Sequence, residues 1–159
     1  MATGISGARI RKELSKHIPP HRLSQSDAFR LVTVQPDNPQ ELHSIVGFAA
    51  REGVPVVPTA SATRPPAMES WHIRLNFGRL SAITDFSPES GLVCAQAGTR
   101  VQDLADWLME KGYSLMAKPD YGEDMDLWEF LLSPDAGNFG PRYGSKWAQV
   151  FSLTAVLPS

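Results

Sequence analysis

The sequence predicts a mixed α+β fold made of two closely packed subdomains. Three observations carry that expectation. Short β-type runs alternate with helical ones, two helices bring their own start and stop signals, and two apolar runs flank a turn of hairpin composition. At 159 residues, 42% of them hydrophobic, the chain can bury a core of ordinary size.

The first element in order is a rather polar helix over Ser6 to His17, with Ile10 and Leu14 four apart on one face. Pro19 and Pro20 stop it, because proline lacks an amide proton and restricts its predecessor. Phe29 to Val34 follows as a strand. The next segment is the clearest helix of the N-terminal half. Asn38 caps it, Pro39 takes the first helical position and Glu41 stands three residues after the cap. Leu42, Ile45, Val46 and Ala49 make its apolar stripe, and Gly53 ends it in a left-handed conformation. Val54 to Val57 is a short apolar strand, so the three elements form a βαβ unit.

Pro58 to Ser70 dissolves into Pro, Thr, Ala and Ser, a loop that serves either as a binding element or as a surface connector. Ile73 to Asn76, Ile83 to Phe86 and Leu92 to Ala97 read as strands. The last two join through Pro88, Glu89, Ser90 and Gly91 as a hairpin. Thr99 caps a second strong helix, Arg100 to Lys111, closed by Gly112. Asp126 and Glu129 have capping-box spacing for a short helix through Leu132. A turn-rich stretch to Ser145 and a closing strand, Phe151 to Leu157, complete the order. The expected organisation is an N-terminal helix and linker over 1–28, a three-stranded α/β subdomain over about 29–80 and a second mixed subdomain over about 81–159. Expected core residues include Leu31, Ile45, Ile73, Ile83, Val93, Leu104, Phe151, Leu153 and Val156.

Charge and composition exclude several functions. With 15 basic and 17 acidic side chains the net charge is -2, which argues against bulk neutralisation of nucleic-acid phosphates. Four scattered histidines and one cysteine form no metal-binding spacing, so no metal site is expected. No apolar run reaches membrane-spanning length, and Met1 to Lys16 lacks the apolar segment of a secretory signal. The reading is a cytoplasmic chain in a reducing compartment.

The order of elements resembles the FAD-linked oxidases of the vanillyl-alcohol oxidase type, a group with a p-cresol methylhydroxylase (PCMH)-type FAD-binding fold that includes glycolate oxidase subunits. The resemblance rests on Val54-Pro55-Val56-Val57-Pro58, on Leu75 to Leu80 and on the hairpin ending Ala97-Gly98-Thr99. It continues through Val101 to Gly112, Pro141-Arg142-Tyr143-Gly144 and Val156-Leu157-Pro158, covering Phe29 to Ser159. It implies the α+β PCMH-type fold in truncated form, with FAD as cofactor. The implied FAD contacts are Thr59, Ala60, Ser61, Ala62 and Thr63 in the pyrophosphate loop, with Gly98, Thr99, Gly140, Arg142 and Gly144 beside the cofactor.

The chain departs from that pattern at two places. Three loop glycines are replaced by Ala60, Ser61 and Ala62, whose side chains disfavour positive φ and occupy phosphate space. Thr59 and Ser61 hydroxyls and Arg64 offer partial compensation. A glycine pair that opens the short helix near the flavin is matched by Trp128 and Glu129. Bulk and negative charge there oppose a diphosphate. No residue suggests covalent flavin attachment, and Cys94, inside a predicted strand, is read as a buried thiol.

No catalytic base stands out, and family members continue beyond Leu157. Two functions therefore stay open. One is an FAD-binding subunit or fragment of an FAD-linked oxidoreductase, acting on a small 2-hydroxy acid such as glycolate and completed by a protein partner or by self-association. The other is a degenerate, non-flavin domain that serves as an interaction or scaffold module. Exposed tryptophans among Trp71, Trp107, Trp128 and Trp147 would favour the second.

Overall fold

A computed structural model describes residues 5–59, 68–115, 125–133 and 146–157. The chain divides into two compact units, Met1–Arg79 with Ala155–Ser159, and Leu80–Thr154.

The first unit opens with α1 (Gly7–Leu14), capped by the Ser6 side chain, which accepts from the Arg9 amide. It stops after Leu14, shorter than expected, and Ser15 to His17 form a turn. Its apolar stripe is narrow but fully used: Ile10 and Leu14 are both 0% exposed and join the core of the sheet. Gly7 lies beneath Trp71, where an added Cβ would come within 2.1 Å of the indole.

Four strands follow rather than three. β1 (Leu23–Ser26) and β2 (Leu31–Val34) are antiparallel and are joined by a turn that contains Phe29 and Arg30. Arg30 takes a positive φ of 50°, so the strand expected from Phe29 starts two residues later. With α2 (Pro39–Glu52), β3 (Val56–Pro58) and β4 (His72–Leu75), the sheet order is β1-β2-β4-β3. β4 runs parallel to both neighbours, pairing Ile73 with Val32 on one side and with Val56 on the other.

α2 starts and ends on the predicted signals. The Asn38 side chain accepts from the Glu41 amide at 2.8 Å, and Glu41 reaches back to the Asp37 amide at 3.0 Å. Gly53 closes the helix at φ 65°. Its buried face carries Ile45, Phe48 and Ala49, which pack with Val32, Val34, Ile73 and Leu75. Arg22, 7% exposed, binds Asp37 at 2.8 Å and Glu41 at 2.6 Å, tying the chain before β1 to the start of α2.

The second unit contains a hairpin of β5 (Ile83–Ser87) and β6 (Leu92–Ala95), turned at Gly91 with φ 66°. Then come α3 (Val101–Glu110) and α4 (Leu127–Leu132). α3 buries Val101, Leu104, Ala105 and Leu108, and Gly112 follows at φ 80°. Phe86 of β5 meets Trp107 and Tyr113 edge-on, at 5.4 and 5.1 Å between ring centres.

Several expectations fail in the C-terminal half of the chain. The Thr99 side chain does not cap α3. Arg100 holds the cap position, and the Thr99 hydroxyl donates to the Ala82 carbonyl at 3.5 Å. Asp126 is the cap residue of α4 but makes no side-chain capping bond. Cys94 is exposed because β6 has no strand on its other side among the described residues. Ile83 and Val93 are only half-buried for the same reason. Phe151 to Leu157 adopts no regular structure, and Phe151 and Leu153 are 83% and 67% exposed, so neither belongs to the core. An alternating apolar segment becomes a strand only where a ladder satisfies its backbone.

Candidate functional site

The parallel β2-α2-β3 arrangement delivers the chain to Thr59, the first of the residues expected around a diphosphate. Thr59 is 5% exposed. Its amide donates to the Leu75 carbonyl at 3.0 Å, extending the β3–β4 ladder by one bond. Its hydroxyl oxygen accepts a 2.6 Å bond from Arg74 Nε. Thr59 stands just after β3, and Arg74 lies within the neighbouring β4.

Arg74 was not singled out from the sequence. It lies in a strand, His-Ile-Arg-Leu, whose other three residues are buried. A half-buried guanidinium inside a central parallel strand is uncommon, since charge there must be paired or hydrogen-bonded. That oddity was the available signal. Side chains alternate along a strand, so Arg74 shares a sheet face with His72. His72 is 0% exposed, with Nδ1 at 3.4 Å from the Ser70 carbonyl and Nε2 without a hydrogen-bond partner among the described residues.

In the second unit, Gly98 and Thr99 are both buried, and their backbone groups are already engaged. Gly98 donates to Leu80 at 2.8 Å, and Thr99 donates to Gln96 at 3.0 Å. Leu127 donates to Thr99 at 2.8 Å and Trp128 to Ala97 at 2.9 Å. The Gly98 and Thr99 amides are thus taken up by carbonyls of the same unit, and the Leu127 and Trp128 amides lace the 97–100 turn to the start of α4. Two acids reinforce the point. Burial pushes the Asp126 carboxyl above its ordinary range, against the opposing pull of the Trp128 indole and the Arg100 charge. Burial also raises Glu129, with Asp126 adding repulsion. Asp126 Oδ2 has no hydrogen-bond partner among the described residues.

The remaining expected contacts, Ala60, Ser61, Ala62, Thr63, Gly140, Arg142 and Gly144, lie outside the described residues. Tested against FAD, the described groups divide. Thr59 with Arg74 suits an anionic group, whereas the corner of Gly98, Thr99, Asp126 and Glu129 does not. Among the described residues no cluster of His, Cys, Asp or Glu could hold a metal ion, and no helix is long and apolar enough to cross a membrane. Trp147 is 46% exposed, while Trp71, Trp107 and Trp128 are half-buried.

Comparison with known proteins adds the wider frame. A family model for the FAD binding domain matches residues 31–159. Among solved structures, an alkyldihydroxyacetonephosphate synthase superposes with a TM-score of 0.75 at 18% identity, over 91% of this chain and 32% of that one. The 4-ethylphenol oxidase of Gulosibacter chungangensis gives 0.68 at 15% identity, over 85% and 31%. Phl p 4.0202, a glucose dehydrogenase, gives 0.66 at 13% identity, over 85% and 33%. The fold is the α+β PCMH-type FAD-binding fold. The chain spans about a third of the length of these structures.

Proposed function

The chain belongs to the FAD binding domain family, and from that membership we propose that it is the FAD-binding subunit, or part, of an FAD-linked oxidoreductase. The carrying observation is the β2-α2-β3 unit that ends at Thr59, with Arg74 bonded to the Thr59 hydroxyl, inside a family match that spans most of the chain. Thr59 and Arg74 hold the diphosphate side of the cofactor by hydrogen bonding and charge. When bound, FAD supplies the redox chemistry, and the protein supplies its position and electrostatics.

The substrate proposed is a small 2-hydroxy acid such as glycolate, on the strength of the sequence resemblance to glycolate oxidase subunits. A protein partner or a second copy of the chain is proposed as its companion in that activity. A reducing, cytoplasmic setting suits the exposed thiol of Cys94. Titration of the purified protein with FAD, followed by removal of free ligand, tests the proposal. Stoichiometric retained flavin absorbance is expected, and no retention well above micromolar FAD would overturn it.

A second reading is a domain that has lost the flavin and serves as a scaffold. It is favoured by the consumed amides at Gly98 and Thr99 and by the acids Asp126 and Glu129. The exposed Trp147 gives such a module one aromatic anchor. Failure of FAD retention, together with capture of a partner through Trp147, would select it.

A further inference from the structure

We infer that the exposed basic face of α1 docks on the exposed acidic face of α3 in a second copy of this chain, a head-to-tail electrostatic contact. The inference specifies the second copy proposed above as companion, and it holds with or without a bound flavin.

Charge is divided unevenly along the sequence. Residues 1–30 carry six Lys or Arg against two Asp or Glu, whereas residues 31–159, the span of the family match, carry nine against fifteen. Within the first segment, Arg9 pairs with Glu52 at 3.0 Å, Lys16 with Glu13 at 2.5 Å, and Arg22 with Asp37 and Glu41. Arg11 and Lys12 make no ion pair among the described residues. Ala8, Arg11, Lys12 and the cap residue Ser15 fall at helical offsets 0, 3, 4 and 7, and all four are exposed. They border a shallow depression of about 420 Å³ that Pro20 and Gln25 complete. Ile10 and Leu14, both 0% exposed, anchor the other side of the helix, so the two cations are presented from a fixed base.

The matching surface is carried by the chain itself. Asp103, Asp106 and Glu110 are exposed at offsets 0, 3 and 7 of α3, opposite the buried Val101, Leu104, Ala105 and Leu108. This stripe works against its own helix. Like charges at that spacing repel, and Glu110 sets a carboxylate at the negative end of the helix dipole. Gln102 gives Asp106 a 2.7 Å bond without charge, and Lys111 lies over the Trp107 ring, 4.4 Å from its centre. None of the three acids makes an ion pair among the described residues. A cationic face on a second copy relieves that repulsion.

Other occupants fit the α1 face less well. The helix exposes no large apolar side chain that could enter a lipid surface. Two unpaired cations are few for a nucleic-acid backbone. Each exposed ion pair contributes little and is screened by salt, so the contact is weak and strongly dependent on ionic strength.

Analytical ultracentrifugation of the purified chain over a concentration series, at low and high salt, tests the contact, with circular dichroism confirming the fold. At low salt the weight-average mass of wild type should rise with concentration, and high salt should weaken association about tenfold or more. R11E/K12E and D103K/D106K should each stay monomeric, because each reversal turns attraction into repulsion. Mixed in equal amounts they should associate again, since every basic face then meets an acidic one on the other variant.

A wild type that remains monomeric at high concentration and low salt overturns the inference. So do single variants that associate as wild type does, or a mixture that stays monomeric. Retention of wild type on heparin or anionic vesicles, lost in R11E/K12E while self-association persists, would give the α1 face to a foreign polyanion instead. Should a reversal variant fail to fold, R11Q/K12Q and D103N/D106N replace it, and unchanged association in either counts against the contact. FAD retention is measured separately on the same samples, so the flavin reading and this one stand or fall independently.

Discussion

Arg22 sits 7% exposed between two carboxylates, with Asp37 at 2.8 Å and Glu41 at 2.6 Å. Removing it leaves the Glu41 carboxylate, 13% exposed, with only the Asp37 amide, while Asp37 at 41% can still be hydrated. R22M should therefore destabilise the fold by about 2 kcal/mol, below the usual cost of breaking a fully buried pair, as a lowered midpoint in urea unfolding. The acids have opposite pH signatures. Burial pushes Asp37 up, but the hydrogen bond and charge of Arg22 outweigh it, and its pKa falls below 3.8. Its contribution is complete above that value and is lost as pH falls through the lower, folded pKa. Asp126 and Glu129 are raised above 3.8 and 4.5, so the folded state holds their protons longer and loses stability as pH rises through that window. D126N should flatten that decline and be more stable than wild type at pH 7, measured by thermal unfolding across pH 4 to 7. None of this was legible in the sequence. Nothing in the residue order tells that the chain before β1 brings Arg22 to Glu41, or that Asp126 is buried as a cap residue with no capping bond.

Elements were legible in proportion to how completely local chemistry specifies them. α2 carries its cap, its first-turn proline and its terminal glycine in sequence, and all three act as read. α1 looked weak because only Ile10 and Leu14 mark its apolar face, yet both are fully buried against the sheet. Tertiary burial, not propensity, holds such a short helix. L14A should accordingly cost about 3 kcal/mol, read as a lowered unfolding midpoint, whereas a change at the exposed Lys12 should cost almost nothing. β1 escaped notice because Leu-Ser-Gln-Ser has neither alternation nor β-branched residues. Its pairing with β2 depends on the turn at Arg30 instead. The opposite error occurred at Phe151 to Leu157, where alternation predicted a strand that finds no ladder among the described residues.

At the scale of the molecule, the order of elements was enough to place the chain in its fold, because a parallel strand-helix-strand unit followed by a hairpin and helix is a long, ordered signature. The candidate site was only half legible. The departures at Ala60, Ser61, Ala62, Trp128 and Glu129 could be read directly, but the bond from Arg74 to Thr59 required knowing that β4 returns beside β3. Two units, each with its own core cluster, carry these opposing signals. The first places Arg74 against Thr59, and in the second the Gly98 and Thr99 amides donate to Leu80 and Gln96. The measurement that decides between them is FAD retention by the purified chain after removal of free ligand. Flavin absorbance at one equivalent per chain is expected; a colourless protein after exposure to FAD well above micromolar would contradict the FAD-binding reading.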